Sequence, residues 1–424
     1  MVFANQVMID TMMTPGLDEG AFALVDIDPR RLEKAHQLAE KVIADSGKNW
    51  TVEASTERRD VLVGCDFIVN TIEVSGLQNV KYDYEIPKKY GVDQCIGDTI
   101  GPGGVFKSLR TGPAWVDILK DSEELCPGAV VMNYTNPMSL LCLAGFKATN
   151  MQIVGLCHSV QGSSMQLAGY LGLPYPELEW NCGGINHNAW FLKLEHNGED
   201  MYPVLRQRIE DDPSIYEQDP VRFEVMKHFG YFVTESSGHF SEYVPYFRKR
   251  DALIDKYCRP GYLGGHGFYA REWPQWREDA EARTQQMIDG EEPIKMQRGH
   301  EYASYIIEAV VTNKPTVIYG NVLNQGLIDN LPQGGCVEVA CLVNRNGIQP
   351  THFGPLPEQV AALNRTHMAF HELMAEAIVN RDKQAALHAL YLDPLTAAVC
   401  SLEEIEAMFN EMWEAERDYL PSFE

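Results

Sequence analysis

Apolar residues recur along the first half of this chain in two alternating rhythms, one suited to helices and one to buried strands. Phe3, Val7, Met8 and Met12 fall at helical spacing and stop at Pro15-Gly16, which predicts a helix over 1–13. The apolar run 21–25, closed by Asp26, predicts a short buried strand. Asp28-Pro29 then predicts a capped helix with proline in its first turn, running to about residue 45. Residues 51–54 predict a strand, 57–63 a helix, and 66–71 another buried strand. The β-like runs 129–132 and 153–156 each lead into a helical pattern. Alternation of this kind predicts a parallel sheet with right-handed crossovers.

Past Leu171 the alternation weakens. Residues 178–187 and 189–195 predict antiparallel strands, followed by a polar stretch with aromatics to about 292. A long helix is expected from 300 to about 312, strands at 316–320 and 336–342, and helices from 356 onward. There is no linker, internal repeat or coiled-coil pattern.

Acidic residues outnumber basic ones 60 to 35, a formal charge of −25. No Lys/Arg stripe offsets the excess, which argues against nucleic acid and anionic membrane as partners. The 10 cysteines are scattered without a Cys-x-x-Cys pair, the usage of reduced thiols in a cytoplasmic enzyme. The first residues lack the pattern of a cleaved signal, and no apolar run reaches membrane-spanning length.

Loops leaving the carboxyl ends of parallel strands converge on one crevice. Here those loops are 133–138 and 155–162, joined by 184–187, and they gather Asn136, Cys157, His158 and His187. Cys157 and His187 can hold a divalent ion while leaving positions open for substrate oxygens. Taken singly, Cys157 reads equally well as a buried small apolar residue and His187 as a satisfied polar one. Asp26, with Asp28 as second choice, closes the strand whose end would hold a dinucleotide's ribose. Asn70, Thr71 and Asn133, at the ends of later strands, are assigned with it to the cofactor. The glycine-rich run 97–104 allows close approach of a ligand, with Asp98 facing substrate, ahead of a helix marked by Val105, Leu109, Trp115, Ile118 and Leu119. The expected fold is α/β, with a Rossmann-like parallel sheet in 1–170 binding NAD and a mixed α+β domain in 171–424 carrying substrate, metal and oligomerisation functions. The first strand and Gly-rich turn of such a fold should precede the 1–13 helix and are absent from this chain.

Asn136-Pro137, Cys157-His158-Ser159-Val160 and Asn186-His187, together with the blocks 98–104, 231–237 and 319–334, resemble the NAD- and manganese-dependent glycoside hydrolases of family 4. The likeness is closest to the α-galactosidase (melibiase) branch and runs through nearly the whole chain. It implies that Cys157 and His187 ligate the metal, that Asn136 binds sugar hydroxyls, and that His158 protonates the leaving group. His158 stands where sugar-phosphate-specific relatives carry an Asp, so unphosphorylated α-galactosides are the implied substrates. The base is expected among Glu235, His239 and Tyr243. The implied chemistry departs from the two-carboxylate pattern of ordinary glycosidases: NAD-mediated oxidation at C3, proton loss from C2, elimination at C1, then water addition and return of the hydride. A homodimer or homotetramer acting on a small sugar is the implied assembly. An α-glucosidase or α-galacturonidase of the same family, an NAD-dependent hydroxy-acid dehydrogenase, and a non-catalytic remnant remain the alternatives.

Overall fold

The computed structural model describes residues 2–423, with side chains from Ala4 onward. Met1 and the Phe3 side chain, counted in the first predicted helix, lie outside the described residues; the rest of that helix forms over Val2–Met12. The Asp28-Pro29 signal works as expected. Asp28 accepts from the Arg30 amide, Pro29 opens the helix Pro29–Ser46, and Gly47 ends it with a left-handed φ of 67°. Its Leu32, Leu38, Ala39 and Val42 are buried.

That helix joins two strands, β1 (Glu19–Val25) and β2 (Asn49–Ser55), which pair in parallel as a sheet of their own. The predicted 57–63 helix is corrected: only a single 3-10 turn, Arg58–Asp60, forms there. Ser55 ties its hydroxyl to Asp60, and Gly64 at φ 81° turns the chain away before a second turn can form.

Strands β3 (Phe67–Asn70), β4 (Val130–Asn133) and β5 (Gln152–Gly155) run parallel in register, Val131 lying beside Ile68 on one side and Ile153 on the other. All of β4 is buried, the reason Val130-Val131-Met132 is an unbroken apolar run. The later strands are β6 (Glu179–Ile185), β7 (Asn188–His196), β8 (Glu199–Asp200), β9 (Phe232–Val233), β10 (Thr316–Leu323), β11 (Cys336–Asn344) and β12 (Gly347–Pro350). They continue the same sheet, in the order β3-β4-β5-β10-β11-β6-β7-β8, with β12 on β11 and β9 on β7. The change of direction falls between β5 and β10, where Gly155 pairs with Asn321. The sheet therefore carries the parallel strand ends straight into the antiparallel half.

The stretch before 292 is largely helical, ending in Phe268–Asp289. Its aromatics and scattered polar residues hide this, because several of these helices are only one to three turns long and show no clear apolar stripe. Among the described residues no helix is long and apolar enough to cross a membrane.

The helix Gly101–Leu125 supports the crevice. It buries Val105, Phe106, Leu109, Trp115, Val116 and Leu119, and Trp115 donates to the Leu141 carbonyl at 2.8 Å. Each such side chain contributes roughly 1.5–3 kcal/mol on burial, so its first turn is held firmly. The Gly-rich loop folds back on that turn: a Cβ at Gly103 would lie 2.2 Å from the Gly97 carbonyl oxygen. Only glycine lets the two backbones meet there.

Candidate active site

A cavity of about 420 Å³ opens outside the carboxyl ends of β3, β4 and β5, where ligands of open α/β sheets bind. Thr71, Asp98, Asn136, Cys157 and His158 line one side, and Tyr269, Trp273 and Trp276 of the helix Phe268–Asp289 face them. The structure brings four residues singled out from the sequence to this cavity: Asn136 Nδ2 approaches Asp98 Oδ2 at 3.4 Å, and Cys157 and His158 follow β5.

His187 reaches Cys157 from the other half of the sheet. β6 and β7 are joined by a two-residue turn, Asn186-His187, since Ile185 already pairs with Asn188. His187 takes the left-handed φ of 35°, which costs a residue with a side chain ~1–2 kcal/mol. Strain of this kind collects where a side chain must be aimed. Here it brings His187 Nε2 to 3.4 Å from Cys157 Sγ.

The helix Ser237–Tyr243 and the residues just before it close the cluster. Glu235 Oε2 lies 3.4 Å from His187 Nε2, and Glu235 Oε1 lies 3.7 Å from His239 Nδ1. The Tyr243 hydroxyl lies 3.4 Å from His187 Nδ1. His187, His239 and Tyr243 are almost wholly buried. Burial opposes every charge in this cluster, and the neighbours outweigh it. Beside His187, the Cys157 thiol is pulled down to about 7. Glu235 and Cys157 lift His187 to about 10. Glu235 itself is held well below the carboxylate range by His187 and His239. Lys107 and His239 hold Asp98 at about 2. Tyr243 goes the other way, since burial and the Glu235 and Asp98 carboxylates push its phenol well above its ordinary value.

Several residues in the site carried no signal in the sequence. Glu301 meets His158 Nε2 at 2.6 Å and raises its pKa. His158 sits at the N-terminus of the helix Ser159–Leu171, where a positive charge is disfavoured, so Glu301 supplies the opposing charge. Lys107 is buried between Glu73 (3.2 Å) and Asp98 (3.4 Å). Glu242 accepts from the amides of Cys95, Ile96 and Gly97 and so shapes the Gly-rich loop. His367 donates to the Tyr243 carbonyl at 2.8 Å and accepts from Asn188 at 3.0 Å, fixing both. Glu338 lies fully buried on β11, bonded by Asn321 at 3.0 Å, its carboxyl pushed up to about 8 by burial and by Cys157.

The residues assigned to the cofactor divide. Thr71 lines the cavity. Asn70 and Asn133 instead hydrogen-bond each other across β3 and β4 at 2.7 Å, and the Asn133 amide also serves Thr135 O. Both are buried and brace the ends of β3 and β4, because register sets them opposite one another. Asp26 stands at the end of β1, accepting from the Asp28 amide at 2.8 Å and lying 3.4 Å from Arg31.

Comparison with known proteins follows the same lines. Residues 1–173 match the family described as "Family 4 glycosyl hydrolase", and residues 182–396 match "Family 4 glycosyl hydrolase C-terminal domain". The chain is 40% identical to an alpha-galactosidase of Bacillus subtilis (strain 168) over 427 residues, covering 100% of this chain and 97% of that protein. It is 34% identical to an alpha-galactosidase of Rhizobium meliloti (strain 1021) over 429 residues, 99% of this chain and 87% of that one. A solved 6-phospho-alpha-glucosidase from gut microorganisms, in complex with NAD and Mn2+, shares the fold with a TM-score of 0.82 at 19% identity, covering 100% and 98% of the two chains.

Proposed function

Because this chain belongs to family 4 of the glycosyl hydrolases, we propose that it is an α-galactosidase that hydrolyses unphosphorylated α-galactosides with NAD and a divalent metal such as Mn2+. The observation that carries the reading is the approach of Cys157 Sγ and His187 Nε2 to 3.4 Å at the edge of a cavity also lined by Asn136, Asp98 and His158. The donor set fits the metal: one thiol, one imidazole and a nearby carboxylate suit a borderline divalent cation. The crevice fits the nicotinamide end of NAD, with Thr71, Ile72 and Glu73 lining it beyond β3 and Asp26 on the neighbouring pair of strands. When bound, the metal supplies a Lewis acid for adjacent sugar oxygens and NAD a reversible hydride acceptor.

The protein's own groups do the rest. Asn136 and Asp98, with Lys107 behind them, present donors and acceptors to the sugar hydroxyls. Glu235, His239 and Tyr243 surround the Cys157–His187 pair, where proton removal from C2 is needed. His158, oriented by Glu301, delivers a proton to the departing oxygen. Tyr269, Trp273 and Trp276 give the crevice an aromatic wall. The enzyme works in the cytoplasm as a homodimer or homotetramer in this reading.

Hydrolysis of p-nitrophenyl α-galactoside tests it. Turnover is expected to require both NAD and Mn2+, and substrate deuterated at C2 or C3 is expected to turn over more slowly. Turnover independent of both additions, with no isotope effect, rejects the scheme. The acid has its own diagnostic. His158→Ala is expected to slow release of a sugar leaving group by roughly 10²–10⁴-fold, the usual contribution of a general acid, with Glu301→Gln following in the same direction. Release of p-nitrophenolate, which departs without a proton, should change far less. Equal losses on both substrates would remove His158 from this role.

A further inference from the structure

We propose that Arg277 grips a phosphate of the dinucleotide and that the helix Phe268–Asp289 thereby straps the cofactor into the crevice; this rests on the NAD-dependent reading above. That helix is fixed at both ends. At its start the Gly267 amide donates to the Gln94 carbonyl at 2.8 Å and the Tyr269 amide to the Cys95 carbonyl at 3.0 Å, beside the Gly-rich run that carries Asp98. Near its end Thr284 accepts from Asn5 of the helix Val2–Met12 at 3.2 Å, and Lys41, between β1 and β2, donates to the Met287 carbonyl at 2.8 Å. Tyr269, Trp273, Trp276, Arg277 and Ala280 line the cavity, a stripe at helical spacing along one face. The helix therefore runs lengthwise from the sugar end toward the strand pair that bears Asp26.

The other basic residues lining the cavity are already matched. Lys107 sits between Glu73 and Asp98, and His158 meets Glu301. Arg277 differs. Its side chain is 20% exposed, yet its guanidinium makes no hydrogen bond among the described residues, and its buried Nε stands 3.6 Å from Glu281 Oε1 in a single loose ion pair. A guanidinium with its donors unused in a largely buried place calls for an oxyanion, and its planar fork fits two phosphate oxygens. Position selects which oxyanion. At about 1.5 Å per residue Arg277 lies about 12 Å along the axis from Tyr269 and about 10 Å from Thr284, midway between the residues beside Asp98 and the helix Val2–Met12. A carboxylate on a sugar held by Asp98 and Asn136 stays at the first end. The pyrophosphate of NAD, joining a nicotinamide near Thr71 and Ile72 to a ribose near Asp26, passes through the middle.

Titration of the protein with NAD+, followed by quenching of tryptophan fluorescence and by calorimetry, tests this without turnover. Arg277→Met keeps much of the side-chain length and removes its donors. It is expected to weaken NAD+ binding roughly 10–100-fold, the loss typical of a charge-assisted hydrogen-bonded pair, with Arg277→Lys in between. Without NAD+ the Met variant should unfold at the same urea concentration as the wild type or a higher one, since it removes a largely buried charge that has no hydrogen bond. Retention of NAD+ affinity within a few-fold overturns the proposal, and so does a lowered urea midpoint, which would mark Arg277 as a structural residue. Binding of D-galacturonic acid supplies the other arm: if the variant loses the galacturonate and retains NAD+, the anion belongs to the sugar and the proposal falls. Failure of the underlying reading looks different, because the wild type itself would then bind no NAD+.

Discussion

Cys157→Ser is expected to abolish productive metal binding, lowering Mn2+ affinity by roughly 100-fold or more and turnover by roughly 10³-fold. The physical reason lies in protonation. A ligand must give up its proton to the ion, and the Cys157 thiol is pulled down to about 7 by His187 beside it. A serine hydroxyl in the same place stays protonated at neutral pH and offers only a weak neutral oxygen. The change is nearly isosteric, so folding should be preserved and the loss assigned to the ion. Equilibrium dialysis with Mn2+ and kcat measured together check this. Metal affinity retained within a few-fold would remove Cys157 from the site. The same protonation argument gives a pH sense: wild-type affinity should fall as pH is lowered, because the Cys157 thiol and the His187 ring, lifted to about 10, must both give up a proton to the ion.

Arg222→Met is expected to cost the fold about 3–5 kcal/mol, the loss typical of stranding one partner of a buried ion pair. Arg222 and Asp219 are both almost wholly buried and pair through two contacts. The guanidinium also donates to Ser163 at 2.7 Å and Gln166 at 2.6 Å, reaches the Thr234 carbonyl at 3.4 Å, and lies over the Phe232 ring. Methionine keeps much of the volume and removes every guanidinium donor, leaving the buried Asp219 carboxylate with no countercharge and only the Tyr170 and Ser237 hydroxyls as donors. Thr234 directly precedes Glu235, so the variant should also loosen the packing of Glu235 against His187 and with it the proposed Cys157–His187 metal pair. Urea denaturation measures the first effect and Co2+ titration the second. A loss below about 1 kcal/mol would mean that water or a neighbour compensates Asp219.

Much of the architecture follows from short-range rules that operate within a few residues. The Asp28-Pro29 cap, the apolar runs of β4 and β5, and the Gly-rich turn that lets Gly103 sit on Gly97 are each decided by local sterics and periodicity. The loops leaving β4 and β5 were legible as site loops for the same reason, since a parallel strand must deliver its carboxyl end to the crevice. Local rules also mislead where a segment is short: residues 57–63 have a helix's spacing, yet Gly64 and the Ser55–Asp60 bond allow only one turn.

The composition of the site was decided elsewhere. Glu301 is 143 residues from His158, Asn364 is 176 from the Asn188 carbonyl it supports, and His367 is 124 from the Tyr243 carbonyl it holds. No periodicity connects such pairs. Glu338 reads as an ordinary polar position in an alternating strand, and only the sheet order, with β11 between β10 and β6, turns it into a buried acid under Cys157 and His187. Asn70 and Asn133 show the same dependence, two strand-end carboxamides 63 residues apart that sheet register sets against each other. The chain by itself determined which loops would meet and that a thiol and an imidazole would be among them. Which acids face them, and with what charge, was settled by the tertiary structure, because burial and Coulomb forces depend on distances through space and not along the chain.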